Sequence, residues 1–235
     1  MRRTWVAVLV SGIVLLAALG MICFSTVGSV YLTDWLKSAA EQTDSAGRER
    51  LYALALRLNP YDSESRIALS DCYFRDEKEK QGEMLLWEGI RSYAKGPELF
   101  LSLAQYYSGK GRPEQACSVL DSAPSGYLSR RLKNLRPETP RVSASGAIRP
   151  DTELKLSGEN CWYSLDESAW KPYTTPLLLP EGKHTLCALS LDQDGIPSRK
   201  VAYEYSVEQA RQASVHPHLY RCPHCGEIFH VYLYE

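Results

Sequence analysis

The most pronounced hydrophobic pattern is a single apolar stretch near the N-terminus. Residues 5–32 contain no charged side chain, and roughly 20 apolar residues suffice for a helix to cross the hydrocarbon core of a bilayer. Arg2 and Arg3 precede the stretch, whereas Asp34 follows it. Because positive flanks stay on the cytoplasmic side, residues 1–32 are predicted to form a cytoplasmic N-terminus and a single-pass cell-membrane anchor, with an extracytoplasmic body.

A cleaved secretory signal is the alternative interpretation of this stretch. The apolar part of such signals is only about 7–15 residues long, which is shorter than residues 5–32. Met21 and Ile22 stand before Cys23, where a lipoprotein signal has small residues. We therefore favour an uncleaved anchor and expect no lipid on Cys23.

Helical periodicity with a 34-residue repeat follows the anchor. Residues 63–96 match residues 97 onward at this offset, and the matched pairs are large apolar or small. They include Leu69 with Leu103, Leu86 with Leu120, Ser70 with Ala104, Gly82 with Ala116, and Gly89 with Ala123. Large residues fill the space between paired helices, and small residues mark their closest approach. The pattern resembles the tetratricopeptide repeat, which implies stacked helix hairpins over residues 33–135 and a concave surface that binds peptides or proteins.

An incomplete copy precedes these two repeats. Tyr52, Ala55 and Pro60 occur in the same register, but Arg48 stands where a small residue is expected. Residues 35–40 are either the first helix of this copy or a continuation of the membrane helix. A different use of the hairpins, as a spacer between the bilayer and the distal part, remains open because so few repeats bury little additional surface.

A basic helix is predicted at residues 127–136, at the end of the repeats. Its positive side chains suit a solvated cap on a repeat stack. These side chains are Arg130, Arg131, Lys133 and Arg136.

The pattern changes at Pro137 and Pro140, which interrupt the helical periodicity. Short runs with strand character, separated by turn residues, continue to residue 207, and they predict a small β-sandwich over residues 136–208. Its motifs in order are Pro140-x-Val142-Ser143-x-Ser145-Gly146, Trp162-Tyr163-Ser164-Leu165-Asp166, Tyr173-x-x-Pro176-Leu177, Glu181-Gly182 and Asp194-Gly195-x-x-Ser198. They resemble the C-terminal, fibronectin-associated sandwich of chitobiase and β-hexosaminidase. Glu167 departs from this pattern, since a glycine is expected there.

The resemblance implies a non-catalytic accessory module of the kind found on extracellular and carbohydrate-active proteins. Trp162, Trp170 and Tyr173 would then offer flat faces for stacking on a sugar or a partner. The alternative is that they pack within the sandwich, which we favour because strands are generally rich in aromatic residues.

Residues 209–235 contain the most specific short motif, Cys222-Pro-His-Cys225-Gly226. Two thiolates in a tight turn can bind one face of a zinc ion, and the motif resembles the first half of a zinc ribbon. The predicted ligands are Cys222, Cys225, His230 and either His218 or His216. The alternatives are a metal shared by two chains, which would make a homodimer, a disulfide, or a hairpin that binds no metal. Only ten residues follow Cys225, too few for a thioredoxin-type fold around this motif.

Composition excludes several functional classes. The net charge is −1, and no strongly basic stretch provides the electrostatic surface that nucleic-acid binding requires. No phosphate-binding loop or motif for nucleophilic or metal-assisted hydrolysis occurs. We expect a multidomain α + β protein that is not an enzyme. It would be an anchored scaffold or adaptor for a protein partner or, alternatively, a cell-wall or glycan-binding accessory protein.

Overall fold

The protein combines helices and strands in two units of structure. The computed structural model describes residues 26–92, 95–208, 216–221 and 227–233, and within them the helices precede the strands. The predicted α + β class is therefore confirmed at this coarse level. One unit contains the helices together with Leu189–Lys200, and the other contains Pro140–Ala188 and the chain from Val201 onward.

The helical unit contains seven helices among the described residues. They are α1 (Thr26–Glu41), α2 (Ser45–Leu58), α3 (Ser63–Arg75), α4 (Glu79–Ser92), α5 (Glu98–Gly109), α6 (Pro113–Asp121) and α7 (Tyr127–Leu135).

The helix boundaries recur at the interval found in the sequence. The helices α1, α3 and α5 end at Glu41, Arg75 and Gly109, while α2, α4 and α6 begin at Ser45, Glu79 and Pro113. Both series advance by 34 residues per step. Three helix pairs therefore follow one another in a single register.

Local sequence explains where several of these helices begin. The carboxylate of Asp44 accepts a hydrogen bond from the Gly47 amide at 3.0 Å, and Asp62 does the same for the Ser65 amide. Such N-caps satisfy amides that have no partner inside the helix. Pro113 opens α6, at a position where the missing N–H of proline costs nothing.

Small residues allow the helices to approach closely. A Cβ atom added to Gly82 would lie 2.3 Å from the ring of Phe74, and one added to Gly89 would lie 2.3 Å from Cδ of Arg66. The large residues of the repeat, including Leu69 and Leu103, are buried. The core of the helical unit thus uses the large and small positions that the sequence comparison paired.

The earliest repeat is a complete helix pair, because α1 packs against α2. Residues 35–40 belong to α1, which begins before the predicted end of the membrane segment. Arg48 stands where the repeat pattern leads one to expect a small residue at the contact between paired helices. Its side chain donates hydrogen bonds to the carbonyls of Ala40 and Thr43, at 3.3 and 3.4 Å. The arginine thereby satisfies acceptors at the C-terminal end of α1.

The anchor prediction falls largely outside the described residues, which begin at residue 26. Among the helices that the structure describes, none combines the length and the apolar character needed to cross a membrane. Residues 26–32 of the predicted span form the first part of α1.

The second unit is built from short strands. They are β1 (Arg141–Val142), β2 (Gly146–Ile148), β3 (Leu156–Ser157), β4 (Cys161–Leu165), β5 (Lys171–Pro172), β6 (Gly182–Ser190) and β7 (Val201–Val207). Strands β1 and β3 pair antiparallel, while the others form a five-stranded sheet in the order β2-β7-β6-β4-β5. Strand β2 is parallel to β7.

One apolar core serves both of these sheets. Leu156 from the small sheet lies in the same cluster as Cys161, Leu186 and Tyr205 from the larger sheet. Along β6, Leu186 and Ala188 are in the core, whereas Cys187 alternates with them and is only half-buried. Cys161 and Cys187 are therefore on opposite sides of the sheet, and both thiols are free.

Strands β8 (His216–Arg221) and β9 (Ile228–Leu233) form a separate antiparallel hairpin. They flank the predicted metal-binding turn on both sides. Residues 222–226, which contain the turn itself, lie outside the described residues.

Candidate functional site

A groove of about 920 Å³ runs along α3 and α5. Its apolar lining includes Ile67 and Phe74 from α3, together with Leu101 and Tyr106 from α5. Polar side chains, among them Gln105, complete the wall. The groove lies between the first helices of two successive pairs, so the 34-residue repeat creates it.

A pair of stacked aromatic rings lies in the groove. The centroids of Phe74 and Tyr106 are 3.7 Å apart, and the ring planes differ by 10°. Burial and the nearby carboxylates of Glu79 and Glu83 raise the pKa of Tyr106 to about 12. The phenol therefore stays neutral over the physiological range, and the stack gives a flat, uncharged surface.

Charges of opposite sign lie at the two ends of α5. Glu98 begins the helix and Lys110 follows its last residue, a separation of about 18 Å for 12 residues. Arg75 lines the groove from the end of α3 and donates hydrogen bonds to the Asp71 carbonyl and to Sγ of Cys72, at 3.2 and 3.3 Å. Lys110 is ion-paired with Glu79. The groove therefore has an acidic side chain at the start of α5 and an ion-paired lysine after its end.

These groups suit the recognition of an apolar ligand. Apolar rings with a few polar side chains can bind an apolar segment and fix its direction. The groove is therefore a candidate binding surface.

A second, smaller groove of about 660 Å³ lies on the hairpin of α3 and α4. Met84 lines it and is largely exposed. Methionine adapts readily to different apolar partners. This groove lacks an aromatic stack, and its volume is smaller than that of the groove along α3 and α5.

The three aromatic residues predicted for ligand stacking do not share one face. Tyr173 packs against the apolar core of the second unit, and its amide donates to the Cys161 carbonyl at 2.8 Å. Trp162 pairs with Pro172 and alternates with the core residues Cys161 and Tyr163 along β4. The packing interpretation therefore fits Tyr173, while Trp162 and the half-buried Trp170 remain candidates for stacking.

The predicted metal ligands are described only in part. Cys222 and Cys225 lie outside the described residues. In the hairpin, His218 pairs with Val231 and His230 pairs with Leu219, so the two histidines occupy successive rungs and are not direct partners. The described residues contain no cluster of three metal-ligating side chains. The zinc site stays a prediction.

The prediction of a solvated basic cap is wrong for Arg136, because its side chain is buried. Its side chain is only 5% exposed, and it donates hydrogen bonds to the carbonyls of Pro197 and Ser198 at 3.0 and 2.8 Å. It also contacts Sγ of Cys117 and is ion-paired with Asp121. The guanidinium is a structural group that joins α6, the end of α7 and Leu189–Lys200.

Cys117 lies in the same buried group. Burial is the main reason why the pKa of this thiol is raised, although the nearby Arg136 opposes the shift. A thiol of this kind stays protonated and unreactive at neutral pH. Cys117 therefore packs as a small residue in the interior of the helical unit.

Sequence reasoning indicated a concave helical surface but not the residues that line it. The offset of 34 pairs Phe74 with Ser108 and Tyr106 with Cys72, so the stacked rings are not equivalent positions of the repeat. Comparison of the chain with protein-family models, with curated proteins and with solved structures gave no match. The groove is therefore assigned from its geometry alone.

Proposed function

We propose that the chain is a non-catalytic, membrane-anchored adaptor that binds a protein partner in the groove along α3 and α5. The observation that supports this function is the stacked pair of Phe74 and Tyr106 between opposite charges at the two ends of α5. Flat aromatic surfaces contribute much of the energy in protein recognition, and charged groups at the rim provide direction and specificity.

The proposed ligand is a short peptide segment with apolar side chains at its centre. These side chains would contact the rings of Phe74 and Tyr106. A basic residue would lie near Glu98, and an acidic residue would lie near Arg75. The membrane anchor and the extracytoplasmic position of the groove belong to the same proposal, and they rest on the apolar stretch and its flanking charges.

Peptide selection on the full-length chain tests this function. Peptides from a random display library are selected on the detergent-solubilised protein, and their affinities are then measured for two variants. Gln105→Arg places a long cationic side chain in the groove, whereas Gln115→Arg makes the same change at an exposed position of α6 that does not line it. We expect Gln105→Arg to weaken the selected peptides at least about tenfold, which is about 1.4 kcal/mol, and Gln115→Arg to have no effect.

Two results would contradict the proposal. Equal peptide affinity for wild type and Gln105→Arg would show that the peptides bind outside this groove. Failure to select any peptide whose binding depends on Gln105 would favour the spacer alternative, in which the hairpins only hold the second unit away from the bilayer.

A further inference from the structure

Large apolar side chains are exposed on the outer side of α1. Tyr31 is 73% exposed, Trp35 is 64% exposed and Val30 is 48% exposed. Tyr31 and Trp35 are four residues apart and therefore lie on one helical face, one turn from each other. The opposite face carries Thr33, Leu36 and Ala40, whose side chains are buried within the helical unit. Aromatic residues on the outer face thus have no partner from α2.

The chain before α1 indicates what covers this aromatic face. Residues 5–32 are uncharged, and a helix of that length would extend about 42 Å, close to the 40–45 Å of a bilayer with its headgroups. Trp5 and Tyr31 are separated by 26 residues, or about 39 Å of helix. These two aromatic residues would lie at opposite surfaces of one bilayer.

The chemistry of the aromatic face fits the membrane interface. Trp and Tyr are enriched where the hydrocarbon meets the headgroups, because their rings combine an apolar body with a polar group. Helix α1 continues through Leu32 and Trp35 to Glu41 without interruption. Within the described residues, α1 therefore joins residues 26–32 of the predicted membrane segment directly to the first helix pair.

The charged residues near the aromatic face favour contact with a bilayer surface that has no net charge. Lys37 is ion-paired with Asp34 and Glu64 at 2.9 and 2.8 Å, and Asp62 lies 3.7 Å from it. This lysine is thereby neutralised and adds no attraction for anionic lipids. Aromatic contact, rather than a basic patch, is the available means of holding α1 at the bilayer.

We propose that Tyr31 and Trp35 insert into the headgroup region of the bilayer and fix α1 at a defined depth there. The inference rests on the predicted anchor and goes beyond the peptide-binding function. It makes α1 a rigid joint, since one face is packed in the helical unit while the other contacts lipid.

Fluorescence quenching in vesicles tests this inference. The full-length chain is reconstituted in phosphatidylcholine vesicles that contain lipids brominated at a chosen depth. Wild type is compared with Trp35→Phe, and the difference between them is the emission of Trp35. We expect shallow bromines to quench this difference signal at least about twofold more than bromines near the bilayer centre. Trp87→Phe, which removes a tryptophan packed against the helical core, serves as the matched control. Its difference signal should not be quenched at any depth.

Other occupants of the aromatic face give different results. If a protein partner or a second copy of the chain covers Trp35, or if water does, its difference signal is not quenched at any depth and the inference is wrong. Strongest quenching at the bilayer centre would also overturn it, because Trp35 would then lie in the hydrocarbon. Peptide binding at the groove is measured separately, so either proposal can fail without the other.

Discussion

A strained turn in the second unit has two neighbouring non-glycine residues in the left-handed conformation. Asp166 and Glu167 have φ values of 49° and 59°, and the Ser168 amide donates to the Leu165 carbonyl at 2.9 Å across them. The backbone strain at Asp166 is offset, because its carboxylate accepts a hydrogen bond from the Thr185 amide at 2.8 Å. Glu167 is at the position where the sequence resemblance leads one to expect glycine.

Glu167→Gly should stabilise the protein. A left-handed backbone costs a non-glycine residue about 1–2 kcal/mol, and glycine loses about 0.5–1 kcal/mol of this gain through the greater freedom of its unfolded chain. We expect a net increase of about 0.5–1 kcal/mol in the free energy of unfolding, measured by urea denaturation. Glu159→Gly, at an exposed bend whose φ is not positive, should be neutral or destabilising. A loss of stability in Glu167→Gly would mean that its side chain has a role the turn geometry does not account for.

The same turn holds an ion pair that depends on pH. Nδ1 of His184 lies 2.7 Å from the Asp166 carboxylate, and Nε2 lies 3.1 Å from the Pro180 carbonyl. The hydrogen bond with Asp166 raises the pKa of His184 above 6.5, and the same bond lowers the pKa of Asp166 below 3.8. The histidine contribution is lost as the pH rises through its folded pKa, and the aspartate contribution is lost as the pH falls through its own folded pKa. The pair therefore stabilises the fold most between about pH 4 and 6.5.

Asp166→Asn tests this pair. NMR titration of the full-length protein should show the pKa of His184 falling toward 6.5 in the variant, and His184→Gln identifies the resonance. The stability difference from wild type should be larger at pH 5.5 than at pH 8.5, and salt should reduce it because the pair is partly exposed. An unchanged His184 titration would show that the carboxylate does not interact with the imidazole in solution.

At the scale of single elements, two glycines in the helices should respond in opposite ways to the same change. In Gly82→Ala, the new methyl group would collide with the Phe74 ring, and such overpacking costs about 1–3 kcal/mol. In Gly109→Ala, nothing lies within 4 Å of the new Cβ, so the substitution should add about 0.4–1 kcal/mol. Thermal unfolding followed by circular dichroism measures both. Stabilisation by Gly82→Ala would show that α3 and α4 are not in close contact there.

Arg136 should matter more than its basic neighbours on α7. Arg136→Met leaves the Pro197 carbonyl without its donor and the Ser198 carbonyl with only the weak thiol contact of Cys117 at 3.6 Å. An unsatisfied buried group costs about 1–3 kcal/mol. We expect a loss of about 2–3 kcal/mol in the free energy of unfolding. Arg130→Met, at an exposed position of the same helix, should change stability by less than about 0.5 kcal/mol. Similar effects of the two substitutions would indicate that the Arg136 side chain is solvated, as the sequence analysis predicted.

The helices were predictable from sequence to the extent that they repeat. The recurrence of Leu69 as Leu103 and of Gly82 as Ala116 expresses one packing geometry used twice, so the pattern gives the helix pairs directly. The burial of Arg136 could not be predicted in this way. It depends on Pro197 and Ser198, which are more than 60 residues away, and local charge patterns carry no information about such contacts. The ring stack of Phe74 and Tyr106 likewise breaks the repeat and gives no signal at the offset of 34.

For the whole molecule, the cysteines of the tail give a prediction about metal and assembly. Purified full-length protein should contain about one zinc ion per chain, or one per two chains if the metal is shared, because the thiolates of Cys222 and Cys225 bind zinc tightly. Cys225→Ser should lose the metal, while Cys187→Ser, which changes a half-buried thiol of β6, should retain it. Metal analysis measures both.

The mass in solution distinguishes the two arrangements of the predicted zinc site. A drop by half on chelation would indicate a metal shared between two chains, and an unchanged mass would indicate a site within one chain. Absence of zinc together with a mass shift on alkylation only after reduction would show that the two cysteines form a disulfide instead.

The segment Leu189–Lys200 has a further consequence for the origin of the protein. Ile196 of this segment is part of the helical core, although the chain enters it from β6 and leaves it into β7. Residues 1–139 alone would lack that core residue, and residues 140–235 alone would carry it without its neighbours. Neither unit corresponds to one uninterrupted stretch of coding sequence. Joining two finished genes end to end would not by itself have placed Ile196 in the helical core.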